Sequence, residues 1–322
     1  MANRKTPDIG HQLTDKELAK LEKRIAKVYK QAADDMQGKV TAYFDSFTKR
    51  DEETKALIGT IVNGKEYTEA DYKQWRLTQI GRGERFRAMR DKLAERYTKA
   101  NEVAIAYAND DMAKIYALNH AYTIRSVIDK SDGALDGIDW TLFDEQTVKR
   151  LIVEQPDIMP YYPKAKAVKR GIDLAYGKRQ ITANVTSGIL QGNSVNQIAK
   201  DLMTSVTDMN RTSAVRAART AITEAENAGR QAASEQLEEK GVILKKRWVA
   251  AHDSRTREAH LDADGQTVDN DEPFIVGGEE LMYPGDDSLG ASGFNIYNCR
   301  CTRVTEISGF KSTIAKGKIK VS

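Results

Sequence analysis

The segments "HDSRTREAH" (residues 252–260) and "NCRCT" (298–302) hold two of the chain's four histidines and both of its cysteines. Two imidazole nitrogens and two thiolates are the donor set of a tetrahedral zinc site. His252, His260, Cys299 and Cys301 are therefore the candidate metal ligands, with Asp253 as an alternative oxygen ligand and structural zinc as the one cofactor this set suggests. Seven residues separate the histidines and one separates the cysteines, which is not a common zinc-finger spacing. Joint ligation by both thiols is expected to need a turn at Asn298 to Thr302. The competing reading makes the cysteines small buried apolar residues and gives the histidines ordinary hydrogen bonds.

The same residues admit catalytic readings. A reactive thiol needs a positive field and a base, which Arg300, Arg303 and either histidine would supply. His252, Asp253 and His260 would alternatively hold a divalent ion for phosphodiester cleavage. No nucleophile elbow or phosphate-binding loop accompanies them, and "GRGERF" (81–86) lacks P-loop spacing. Asp253, Arg255, Arg257 and Glu258 read either as a solvated turn or as a structural staple. In the second case Asp253 caps a turn and an arginine bridges carbonyls or carboxylates with its five donors. Small modules with modest cores need such bracing.

These residues must be positioned by the elements around them, and the pattern predicts a mainly α chain with a small C-terminal α+β module. Long amphipathic helices are expected in the first half. Thr14 and Glu17 form a capping-box signal ahead of Leu18, Leu21, Ile25 and Val28, which recur at helical spacing. Turn residues follow at Gly59 to Lys65, and Thr68 to Asp71 offers a second cap. Tyr72, Trp75, Ile80, Phe86, Met89, Leu93 and Tyr97 predict another long helix, weakened by Gly81 and Gly83. Further helices are expected over 103–128, over "TLFDEQTVKRLIVEQ" after the loop "SDGALDGIDW", over about 164–207, and over 210–240, the last with a stripe of small side chains and Gly241 at its end. Pro156, Pro160 and Pro163 mark a candidate boundary. "VILKKRWVAA" (242–251) reads as a strand, with shorter ones at "GQTV", "PFIV" and "CTRVTEI". The resulting division is 1–163 as helical arm, 164–241 as a helical lead-in, 242–310 as the module and 311–322 as a basic tail.

Composition narrows the partners. A length of 322 residues allows about two domains. The formal net charge of +3 excludes polycation behaviour but permits local basic patches. Arg76, Arg82, Arg85, Arg87 and Arg90 form one such stretch and are candidate contacts to double-stranded DNA. Asp71, Glu84, Asp91 and Glu95 interrupt it, which also suits an ordinary solvated helix face. No apolar run reaches the roughly 20 residues of a membrane span. The N-terminal segment has no apolar core of a secretion signal, and two close cysteines predict no disulfide framework, so a reducing compartment is expected.

In order, Trp248, "HDSRTREAH", "DADG" ending at Gly265, "DEPF", "YPG" and "NCRC" resemble the phage Mu F-type head morphogenesis family of minor head or minor capsid proteins. "RTAITEAENAGRQAA" (219–233) is similar to the helix that precedes the strand in that family, and the resemblance spans about 180–306. It implies that Asp253, Arg255, Arg257, His260, Gly265, Cys299 and Cys301 form the family core. It implies no catalytic residue. The implied role is a structural, non-enzymatic minor head protein of a tailed phage or prophage. Portal protein and major capsid protein would be its partners, with several copies around the portal in the virion after assembly in the host cytoplasm. Two alternatives stay open: a metal-dependent enzyme (nuclease or transferase), and a DNA-binding ejection protein delivered with the genome.

Overall fold

A computed structural model describes residues 8–154 and 173–311, and the side chains of all of these except 151–154. The proline cluster at 156–163 and nearly all of the 311–322 tail lie outside the described residues. Mainly helical structure runs through the first two thirds of the chain, and a small strand-containing module closes it.

Helix α1 spans Ile9–Asp45, α2 Thr48–Lys55, α3 Glu69–Gln79, α4 Glu84–Asp129 and α5 Glu145–Glu154. Helix α6 spans Leu174–Leu190 and α7 Val195–Glu239. A short hairpin, β1 (Ile61–Val62) and β2 (Lys65–Glu66), joins α2 to α3. Local chemistry sets these boundaries. The α3 capping box at Thr68 and Asp71 forms as the sequence predicts, each side chain meeting the other's backbone amide. Helix α1, by contrast, begins before Thr14. The Asp8 carboxylate accepts from the His11 amide at 2.9 Å, while the Thr14 hydroxyl lies inside the helix and donates back to the Gly10 carbonyl.

The helix predicted across 72–97 is two helices. The glycines open the chain at residues 80–83, with both the Ile80 and Gly81 amides closing onto the Arg76 carbonyl. Beyond them, the helix expected at 103–128 is the continuation of α4, whose 46 residues run unbroken. Helix α7 is likewise one 45-residue rod where the sequence suggested a break near 207–210. It starts where Ser194 accepts from the Gln197 amide and stops at Gly241, whose φ of 96° is left-handed backbone.

Residues of the chain form two compact units. One is drawn from the stretches Met1–Glu22, Ala106–Lys164 and Arg216–Ser322, the other from Lys23–Ile105 and Ala165–Val215. Both are discontinuous in sequence.

The second unit is helical, with buried Ile25, Tyr29, Phe44, Phe86 and Leu93 in its interior. In the first unit, α7 carries alternating roles around its circumference. Ala218, Ala221, Ile222, Ala225 and Ala228 are buried, and Gly229 lets the helix approach α4 so closely that a Cβ there would lie 2.4 Å from the Tyr116 carbonyl oxygen. The module's sheet has the order β4 (Thr267–Asp269), β3 (Val242–Val249), β7 (Thr302–Phe310), all antiparallel. Strand β3 alternates strictly: Val242, Leu244, Lys246 and Trp248 face inward, and the residues between them face outward. A second hairpin, β5 (Phe274–Val276) with β6 (Glu279–Leu281), turns on Gly277 and Gly278. Its second strand has no counterpart among the predicted elements. Helices α8 (Glu258–Asp262) and α9 (Gly293–Ile296) complete the module.

Candidate functional site

Trp248, Phe274, Val276 and Leu281 build one apolar cluster with Ala250, Ala263, Cys299 and Cys301. Into its edge α8 carries His260, which is 1% exposed. The imidazole stands edge-on to the Trp248 ring at 5.7 Å, and Trp248 meets Phe274 in the same manner at 5.4 Å. His260 Nδ1 lies 3.4 Å from Cys301 Sγ and 3.6 Å from Cys299 Sγ, whereas Nε2 is buried with no hydrogen-bond partner. Asn298 takes a left-handed φ of 57°, and the Cys301 amide donates to Cys299 Sγ at 3.4 Å. The turn expected at "NCRCT" therefore exists, and it aims both sulfurs at the imidazole. Both thiols are free. A hydrogen bond from Cys299 holds the Cys301 thiol below its ordinary range, with His260 acting in the same direction. That bond and burial hold Cys299 well above it.

His252 does not join this group. Its left-handed backbone turns it outward, and its Nε2 pairs with Asp264 at 2.8 Å, an exposed contact. The Asp264 carboxylate also accepts from the Ala250 amide, so the pair fastens the end of β3 to the segment after α8. Asp253 is equally engaged elsewhere. It accepts two hydrogen bonds from the Arg300 guanidinium and one from the Arg255 amide, and its own amide donates to the Thr256 hydroxyl. The Arg300 pairing holds the Asp253 carboxyl well below the usual carboxylate range. The ligand set read from sequence thus contracts to His260, Cys299 and Cys301, and Asp253 takes the stapling role that was its other reading.

Arg257 contributes to the same brace, donating to the Tyr297 carbonyl at 2.5 Å with its guanidinium over the Phe294 ring. Arg255 presents its side chain to solvent and offers only a loose 3.8 Å contact to Asp253. Gly265 has a φ of 82°, and its amide closes onto the Trp248 carbonyl. That conformation, which side chains resist, lets the chain double back beside β3.

A buried polar seam that sequence reasoning did not single out runs along α7. Thr220 accepts from the Asn298 amide, Thr223 donates to the Cys299 carbonyl, and Asn227 donates to the Cys301 carbonyl and accepts from the Arg303 amide. Arg230 donates to the Arg303 carbonyl, to Asp8 and to Asn119, and pairs with Glu226 at 3.1 Å. Glu226 in turn accepts from the Thr302 hydroxyl and faces His11 at 2.9 Å. Burial works against the charge on His11, but Glu226 more than offsets it and raises the imidazole pKa to about 9. Positions 220, 223, 227, 230 and 234 follow steps of three and four residues, and that polar periodicity was the available signal. Two cations are buried beside the seam. Burial and the Arg303 charge pull Lys246 down to about 7, and burial with Arg230 pulls Arg303 down to about 9.

Among the candidate DNA contacts, Arg76 is overturned. It is 1% exposed, pairs with Asp51 at 3.0 Å and donates to the Asn193 carbonyl. Its spacing relative to Tyr72 places it on the inward face, where the Asp51 carboxylate and the Asn193 carbonyl meet its guanidinium. Arg90 is half-buried and paired with Asp91. Arg82, Arg85 and Arg87 are exposed.

A helix whose polar seam grips a strand, with a His/Cys cluster at the strand's near end, defines a compact C-terminal module. Residues 179–304, which contain the His/Cys cluster and most of the module, match the family described as Phage Mu protein F like protein. Over 144 residues the chain is 31% identical to the minor head protein GP7 of Bacillus phage SPP1, covering 43% of this chain and 44% of that protein. Over 138 residues it is 30% identical to the NAD(+)–arginine ADP-ribosyltransferase EFV of Enterococcus faecalis, covering 43% of this chain and 28% of that protein. The chain thus spans less than half the length of either relative. No solved structure matches it significantly.

Proposed function

We propose that the chain is a structural minor head protein of a tailed phage or prophage. It associates with the portal protein and the capsid interior in several copies and assists head assembly. The observations that carry this reading are the match of residues 179–304, where the braced module lies, to the Mu F-like family and the 31% identity over 144 residues to the SPP1 minor head protein. The seam supports the reading in physical terms. Its side chains are spent on internal hydrogen bonds, as in a module whose value is a fixed outer surface. Long helices supply faces on which partner helices pack.

The test is mass spectrometry of purified particles from the encoding phage, with co-purification on tagged portal protein. The chain is expected in both at a reproducible ratio to portal. Its absence from both overturns the role.

A second reading rests on the relative named as an arginine ADP-ribosyltransferase. Under it, the purified chain transfers ADP-ribose from NAD(+) to an arginine nitrogen with release of nicotinamide and a proton, and NAD(+) labelled in its ADP-ribose part, incubated with an arginine-bearing acceptor, reads this directly. Sustained turnover, lost on substitution within the chain, would replace the structural role by an enzymatic one.

A further inference from the structure

We infer that His260, Cys299 and Cys301 form a tetrahedral zinc centre, with His260 binding through Nδ1 and the fourth position left to a non-protein ligand. The site does not depend on the head-protein role.

The three donor atoms lie within 4.8 Å of one another, and among the described residues no other His, Cys, Asp or Glu joins them. Zinc at about 2.0–2.1 Å from nitrogen and about 2.3 Å from sulfur has a tetrahedral N···S edge of about 3.5–3.6 Å. The observed separations of 3.4 and 3.6 Å match that edge for both sulfurs. Without an ion, an imidazole has one N–H to offer two weakly accepting sulfurs, so hydrogen bonding accounts poorly for the equal approach of both. The Cys301 amide points at Cys299 Sγ, and such N–H donors stabilise thiolate ligands. Two thiolates neutralise a divalent ion, so the burial of all three ligands carries no net charge penalty. The soft N/S donor set selects zinc over magnesium or calcium. The backbone around the cluster is already fastened: the Cys299 and Cys301 carbonyls are held by Thr223 and Asn227, and Asp253 grips Arg300 between the two cysteines. Ligands set on such fixed backbone lose little freedom when the ion binds.

The full-length chain, expressed in medium containing zinc, is expected to carry one zinc per chain by elemental analysis. After chelation, cobalt(II) is expected to refill the site and give sulfur-to-cobalt charge transfer with the intense visible bands of four-coordinate geometry. Cys301→Ser and His260→Ala are expected to lose the metal, whereas His252→Ala keeps one per chain. Because removal of a ligand can also unfold the module, the cobalt spectrum of the unaltered chain tests thiolate ligation by itself. Failure of the unaltered chain to take up stoichiometric zinc or cobalt overturns the centre. Loss of metal from His252→Ala as complete as from Cys301→Ser overturns the three-ligand assignment.

Discussion

Glu226 is a buried carboxylate held by two cations, and that arrangement has a measurable pH signature. Its neighbours are His11 at 2.9 Å and Arg230 at 3.1 Å, and His11 also faces Asp15 at 3.8 Å. The folded chain raises the His11 pKa from 6.5 to about 9. Below pH 6.5 His11 is protonated whether or not the chain is folded, and its pairing contributes fully. As the pH climbs towards 9 the unfolded chain has already lost that proton, so the contribution fades and is gone above the folded value. His11→Gln should therefore destabilise most in mildly acidic buffer, and its difference from wild type should shrink between pH 6.5 and 9 in urea unfolding. The comparison has to be made between variants because Lys246, lowered to about 7, drives the wild-type curve the opposite way over part of this range. Arg230→Met removes the other cation and leaves Glu226, Asn119 and the Arg303 carbonyl short of donors. Breaking one side of a buried pair costs about 3–5 kcal/mol. A urea midpoint indistinguishable from wild type would show that the seam is not what holds β7 to α7.

At the level of elements, α4 and α7 meet at Gly229, and this contact separates intrinsic helix preference from packing. Gly→Ala inside a helix ordinarily stabilises by roughly 0.5–1 kcal/mol. At Gly38 in α1 an added Cβ meets nothing within 4 Å, so Gly38→Ala should show that gain. At Gly229 it would meet the Tyr116 carbonyl, which is backbone and cannot rotate away. Gly229→Ala should destabilise by about 1–3 kcal/mol through forced separation of the helices. Thermal unfolding of the two variants side by side checks both signs, and equal shifts would mean the close approach relaxes freely. Gly285 belongs with Gly229. Its Cβ would meet the Glu224 backbone at 3.2 Å, which gives the glycine of the "YPG" stretch a packing reason beside α7.

For the whole molecule, the question of nucleic acid at the basic stretch from Arg76 to Arg90 reduces to three side chains. With Arg76 buried and Arg90 paired, Arg82, Arg85 and Arg87 remain exposed from the basic stretch. Even these have neighbours: Arg85 donates to the Ser46 hydroxyl and lies over the Phe47 ring, and Arg87 donates to the Arg82 carbonyl. If packaged DNA is a partner of this face, replacing all three by alanine should lower the slope of log affinity against log salt by up to about 3, at roughly 0.9 per lost phosphate contact. Fluorescence anisotropy with random duplex DNA measures it. An unchanged slope assigns these arginines to helix solubility alone.

Much of this protein was legible along one dimension because the signals are local. Helical spacing, the Thr68–Asp71 cap, the β3 alternation and the ordered residues from Trp248 to Cys301 depend on neighbours a few positions away. Even so, a capping signal at Thr14 lost to Asp8, and two glycines broke a helix that the apolar pattern carried across. What folding alone decided is partner choice over long separations. Both histidines near the cysteines had equal claim as ligands by type, yet the left-handed backbone at residue 252 gives one to Asp264, and α8 delivers the other to the sulfurs. Arg76 reads as a surface charge until Asp51 closes beside it, and Arg230, which no local pattern singles out, is enclosed by Glu226 and Asp8. Composition cannot distinguish a solvated charge from a buried one, because burial is set by residues tens to hundreds of positions away that the chain brings together only as it folds.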